Sequence, residues 1–111
     1  MRYIGVDLHK VMFAFCVREG DRETITTYPR DELDSFKKTL QKTDQVAVEA
    51  TGMTKYFVGQ IEGLVEKVVV VNPHQFKVIS ESVKKTDRRD AQMLALFLQK
   101  GMLPLSTYEE R

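Results

Sequence analysis

Three β-type runs follow one another within the first 28 residues with almost nothing between them, and this constrains the fold more than any other feature. Tyr3-Ile4-Gly5-Val6-Asp7-Leu8 alternates, so that Ile4, Val6 and Leu8 share one face and Tyr3, Gly5 and Asp7 the other. His9-Lys10 is a short polar break before a second strand from Val11 to Arg18. Glu19-Gly20-Asp21-Arg22 then turns the chain into a third strand, Glu23 to Tyr28, heavy in threonine and isoleucine. Links this short allow only an antiparallel meander, because parallel neighbours need a crossover of about a dozen residues or more.

Beyond the meander the pattern changes to alternation. A helix starting at Pro29 to Asp31 has Leu33, Phe36 and Leu40 as its buried stripe and Lys37, Lys38 and Lys42 outside. Val46-Ala47-Val48-Glu49-Ala50 is nearly all apolar, as in a strand covered on both faces. Thr54 is placed to cap a helix from Lys55 to about Val65, with Tyr56 or Phe57, Ile61 and Leu64 facing inward. Lys67 to Val71 is a further apolar strand, closed by Asn72-Pro73 as N-cap and first helical residue. A helix through Phe76 and Ile79, a basic link, and an amphipathic helix from Asp87 to Lys100 complete the order, with Gly101 and Pro104 enforcing the stop. The sequence βββαβαβαα predicts an α/β fold, a mixed sheet with helices packed on its faces, as in RNase H-like folds.

Length allows one domain with a single real core. Apolar content of 42% and charged content of 30% are those of an ordinary globular chain, and the net charge of +1 does not advertise nucleic acid. The charge is unevenly placed, however. Residues 1–71 hold ten Lys/Arg against eleven Asp/Glu, whereas residues 72–100 hold six against three, so a polyanion should meet the later segment first. The single cysteine, Cys16, lies in an apolar run and is expected to be a buried thiol. No leader-like segment opens the chain and no apolar run approaches the roughly 18 residues that cross a bilayer, which points to a cytoplasmic protein with no membrane partner.

Chemistry concentrates in Lys84-Lys85-Thr86-Asp87-Arg88-Arg89-Asp90-Ala91, where two acids three residues apart sit among four bases at the mouth of a helix. A step of about 100° per residue puts Asp87, Asp90, Ala91, Leu94 and Leu98 on one stripe, with both carboxylates toward the core and Arg88 and Arg89 well off it. The acids can be helix caps that satisfy unpaired N–H groups, or two ligands of a divalent-metal site completed from elsewhere. Asp7 and Glu49 are the other carboxylates near the ends of apolar strands, where a charge is costly unless paired, protonated or metal-bound. Asp7 can also simply open the turn at His9-Lys10, and Glu49 can pair with a lysine. If all four converge, hard cations with oxygen ligands, typically Mg2+ bridging to phosphate oxygens, resolve their repulsion. A pair of such ions suits in-line displacement at a phosphodiester. Lys84, Lys85, Arg88 and Arg89 then form a rim that holds phosphates without choosing a sequence.

Ile4-Gly5-Val6-Asp7-Leu8-His9-Lys10, Val48-Glu49-Ala50-Thr51-Gly52, Val71-Asn72-Pro73 with Lys77, and Lys85-Thr86-Asp87-Arg88-Arg89-Asp90-Ala91 resemble, in order and spacing, the N-terminal RuvC-like domain of the DEDD-type insertion-sequence transposases, relatives of the Piv invertase. The resemblance spans almost the whole chain. It implies a DNA transposase domain of RNase H-like fold whose acidic tetrad, Asp7, Glu49, Asp87 and Asp90, binds Mg2+ (Mn2+ can substitute) at the scissile DNA phosphate, with Lys77 as a phosphate contact. It further implies a guiding non-coding RNA and homo-oligomers whose active sites combine domains of different subunits. Complete members continue into a coiled-coil-like segment and a C-terminal domain bearing a serine nucleophile. The expected layout is therefore an RNase H-like domain over residues 1–105 and a tail, 106–111, leading toward those parts. Ser35, Ser80, Ser82 and Ser106 lie in no such context, and the domain is not expected to recombine DNA unaided.

Three other readings compete. RuvC-like Holliday-junction resolvases share the fold and four acids and would nick branched DNA with no serine. Sugar-kinase and actin-like ATPases also begin with a strand ending in an acid but need glycines after it to reach phosphate, and Leu8-His9-Lys10 offers none. A non-catalytic nucleic-acid-binding module would show salt-sensitive binding without metal-dependent cleavage. His9 and His74 are expected to be an exposed turn residue and a first-turn helix residue, and Tyr56 and Phe57 to be core.

Overall fold

The computed structural model describes residues 1–83 and 90–103, with backbone alone at residues 82 and 83. Lys84, Lys85, Thr86, Asp87, Arg88, Arg89, Pro104 and the 106–111 tail lie outside the described residues. Strands β1 (Tyr3–Leu8), β2 (Met12–Glu19) and β3 (Arg22–Pro29) lead through a short 3-10 turn (Arg30–Glu32) into α1 (Leu33–Lys37). Strand β4 (Gln45–Glu49), α2 (Thr54–Ile61), β5 (Lys67–Val71), α3 (Pro73–Val83) and α4 (Asp90–Lys100) follow, the order the sequence predicts. The sheet runs β3-β2-β1-β4-β5, with β1, β2 and β3 antiparallel in succession and β4 and β5 parallel to β1.

Alternation along β1 divides the core. Ile4 and Val6 join Phe13, Phe15, Val46 and Val48 on one face, under Phe36 of α1 and Phe57, Val58 and Ile61 of α2. Phe36 is fully buried and meets Phe13 edge-on at a centroid distance of 5.4 Å. The other face carries Ala47, Val69 and Val71 beneath Phe76 of α3 and Met93, Leu94 and Phe97 of α4. A seam of small residues, Ala14, Cys16, Ala91 and Ala95, brings α4 down onto β1 and β2. Gly5 completes that seam: a Cβ there would meet the Ala91 carbonyl oxygen and would stand 2.6 Å from the Ala95 nitrogen. Gly5 is therefore required by the close approach of a helix backbone to a strand, a packing role its place beside Asp7 does not announce.

Several local expectations are corrected. Helix α1 ends at Lys37, so Leu40 packs against the core from the following loop, not from a helical stripe. Helix α2 stops at Ile61, before Gly63, leaving Leu64 exposed while Val65 is buried. Thr54 does not cap: it is 1% exposed, its Oγ1 accepts from the Thr51 N–H at 2.7 Å and donates to the Glu49 carbonyl at 2.7 Å. Tyr56 is 64% exposed, because Phe57 takes the inward position on α2. Other signals read as expected. Asn72 Oδ1 accepts from the His74 and Gln75 N–H groups as N-cap of α3. Gly101 (φ 69°) ends α4, with Gly101 N–H donating to Leu98 and Met102 N–H to Phe97, the pair of bonds of a Schellman cap. Cys16 is a buried free thiol. Among the described residues no helix is long and apolar enough to cross a membrane.

Candidate metal centre

Parallel strands bring their carboxyl ends to one rim of the sheet, and the acids sit there. The β1–β4 register runs from Tyr3↔Gln45 to Val6↔Val48, so one further step sets Asp7 beside Glu49. Asp7 shares the face of Gly5, toward α4, and the close seat of α4 on Gly5 delivers Asp90, the first described residue of that helix, to the same place. One carboxylate oxygen from each of Asp7, Glu49 and Asp90 lies within 4.8 Å of the others. Asp7 and Glu49 are half-buried, whereas Asp90 is exposed, contrary to the expectation that it faces the core. The stripe itself holds further along α4, where Ala91 and Leu94 are buried, and the exposure is confined to Asp90 at the described start of the helix.

The scaffold beneath Glu49 is stiff. Its carbonyl is held by Thr54, and the next N–H, that of Ala50, donates to the Val71 carbonyl at 2.9 Å, continuing the β4–β5 ladder past the acid. The electrostatics are costly. The Glu49 carboxyl is pushed up to about 7 by burial first, then by Asp90 and Asp7, while His9, among the described residues, acts in the opposite direction. His9, expected as a bystander in the turn, is exposed as foreseen but places Nε2 3.0 Å from Asp7 Oδ2. The available signal was its offset of two residues from Asp7 at the strand end, where alternation returns a side chain to the same face.

A cleft of about 470 Å³ opens beside the acids, lined by Glu49, Asp90, His74, Lys77, Ser80 and Glu81 among others. The structure thus brings together Asp7, Glu49 and Asp90 and sets Lys77, exposed on α3, along the same cleft. Asp87, expected as the fourth acid, and Lys84, Lys85, Arg88 and Arg89, expected as the rim, lie outside the described residues. Oxygen donors drawn from two strands and a helix, at mutual distances one small cation can span, fit a hard divalent metal such as Mg2+ better than a softer ion wanting sulfur or imidazole.

A family model for transposases, that of the DEDD type of the IS110 group, matches residues 4–110. The chain belongs to this transposase family. A search of curated proteins finds no match. Membership implies DNA as the partner and transposition as the process, and the mixed five-stranded sheet with its helices is an α/β fold consistent with the RNase H-like one expected of a DEDD transposase domain.

Proposed function

We propose that Asp7, Glu49, Asp87 and Asp90 hold divalent cations, Mg2+ with Mn2+ as a substitute, at the scissile phosphate of transposon DNA. The observation that carries this reading is the gathering of Asp7, Glu49 and Asp90 oxygens within 4.8 Å at an open rim, in a chain of the DEDD family. When bound, the cations supply charge neutralisation and polarisation of phosphate oxygens during strand cleavage and joining. The chain's own residues bind and orient. Asp7 and Glu49 fix the site to the sheet, and Asp90 closes it from α4. Lys77, along the cleft, and Lys84, Lys85, Arg88 and Arg89 hold flanking phosphates without reading bases. Residues 1–105 act as the metal-binding portion, and the tail 106–111 leads toward the part of a complete transposase that contributes the serine nucleophile. A guiding non-coding RNA and assembly into homo-oligomers belong to the same reading.

Thermal unfolding of the chain tests it. Mg2+ or Mn2+ should raise the wild-type midpoint, while Asp87→Asn should be at least as stable without metal and respond less to it. If metal leaves the wild-type midpoint unmoved and Asp87→Asn only lowers it, Asp87 is a helix cap and the domain binds nucleic acid without metal chemistry.

A further inference from the structure

We propose that His9 is a positioning residue of the metal centre, donating from Nε2–H to Asp7 Oδ2 and so fixing the rotation of the Asp7 carboxylate for the cation. This rests on the metal-centre reading and extends it to a residue outside the acidic tetrad. The contact measures 3.0 Å, with His9 61% and Asp7 19% exposed at their side chains. An exposed pair of this kind is ordinarily worth little, because holding the side chains in one geometry offsets the attraction. Here the geometry is imposed by the backbone. The His9 N–H donates to the Met12 carbonyl at 3.0 Å, closing the β1–β2 turn on itself. Arg30, just past β3, pins the same turn twice: its N–H donates to the Val11 carbonyl at 2.8 Å and its Nη1 to the Lys10 carbonyl at 3.1 Å. The ring is therefore carried on a turn tied from both sides.

The chemistry follows from the donor inventory. A carboxylate only accepts, so the nitrogen facing Oδ2 must carry the proton, and one donor to one oxygen leaves the remaining lone pairs of Asp7 for a metal. His9 thereby stands behind a ligand instead of being one. A ligating carboxylate held by an outer hydrogen bond loses about 10-fold or more in metal affinity when that partner is removed. It also needs no sulfur or nitrogen ligand, in keeping with a hard cation.

The test is a Mn2+ titration of the 111-residue chain, read by the unfolding midpoint, for wild type, His9→Ala, His9→Asn and His9→Gln. Glutamine reaches about as far as Nε2 and retains a donor; asparagine retains polarity but falls short. The half-saturating Mn2+ concentration should rise about 10-fold in His9→Ala and His9→Asn and return most of the way in His9→Gln. The metal-free midpoints should stay together, because the ring is exposed. Equal half-saturation in wild type and His9→Ala, or failure of glutamine to recover what alanine loses, overturns the positioning role while leaving the metal centre standing. A wild-type midpoint that Mn2+ does not move overturns both.

Discussion

The paired strands β1 and β4 have acids at both ends of the pair, Asp44 just before β4 and Asp7 and Glu49 at the carboxyl ends, and the two ends solve the same electrostatic problem in opposite ways. At the amino ends, Asp44 has a fully buried side chain and receives everything it needs from the chain. Arg2 Nε donates to Oδ1 at 3.0 Å, Arg2 Nη2 to Oδ2 at 2.8 Å, and the Gln41 N–H to Oδ2 at 2.8 Å. Arg2 Nη2 also reaches the Thr39 carbonyl, and the Asp44 carbonyl receives the Glu66 N–H, so the ion pair doubles as a clasp between β1, β4 and the loops before them. At the carboxyl ends, Asp7, Glu49 and Asp90 are gathered on one another, and Asp90 and Asp7 add to the burial that already pushes the Glu49 carboxyl up to about 7. A carboxylate given its own guanidinium is there for the fold. Carboxylates gathered at an open rim beside a cleft suit a cation from outside, the role proposed for them above.

Substitutions at the two ends should therefore separate stability from metal response. Asp44→Ala strands a mostly buried guanidinium and is expected to lower unfolding free energy by about 3 kcal/mol, measured by denaturant titration, with the Mn2+ response of the surviving folded chain unchanged. Asp7→Asn should do the reverse: metal-free stability equal to or above wild type, and DNA strand cleavage by the transposase at least about 100-fold slower. A destabilised Asp7→Asn with normal cleavage would erase the contrast. Gly5→Ala links the two properties, because the new methyl must displace α4 from β1. Denaturant unfolding should show a loss of about 1–3 kcal/mol, and Mn2+ should bind more weakly as Asp90 withdraws from Asp7.

The smallest effect concerns pH. The folded-state value of Glu49, about 7, lies above its ordinary 4.5, so the native chain holds a proton that the unfolded chain has released. The contribution of this site to metal-free stability should be fullest below about pH 4.5 and decline as pH rises toward 7, by about 1–2 kcal/mol once solvent screening of a half-buried group is allowed for. Glu49→Gln should flatten that slope. With Mn2+ present the trend from this site should invert, because the ion displaces the same proton and binds better as pH rises.

Much of this molecule is legible from one-dimensional patterning. Alternation in Tyr3–Leu8, the apolar run at Gln45–Glu49 and the Asn72-Pro73 cap each report a local preference that tertiary packing then respects. The acids Asp7, Glu49 and Asp90 were identifiable because a carboxylate at the end of a buried strand, or at the mouth of an apolar helix, is conspicuous against its neighbours. What escaped the sequence depends on distance in space. The Arg2–Asp44 pair joins residues 42 apart, and the need for Gly5 appears only once α4 is laid across it. Whether Tyr56 or Phe57 faces inward turns on a helix phase that two adjacent aromatics leave ambiguous. Thr54 shows a subtler competition, its hydroxyl being drawn into the loop that holds Glu49 and away from the helix end.

The most direct test of the metal centre is Mn2+ binding itself, followed by electron paramagnetic resonance as the free-ion signal disappears. Wild-type chain should take up Mn2+ in stoichiometric amount, release it to excess Mg2+, and lose that uptake in Asp7→Asn while keeping it in a conservative Asp44→Asn variant. Uptake that survives unchanged in Asp7→Asn, or no uptake by the folded wild-type chain, would contradict the account.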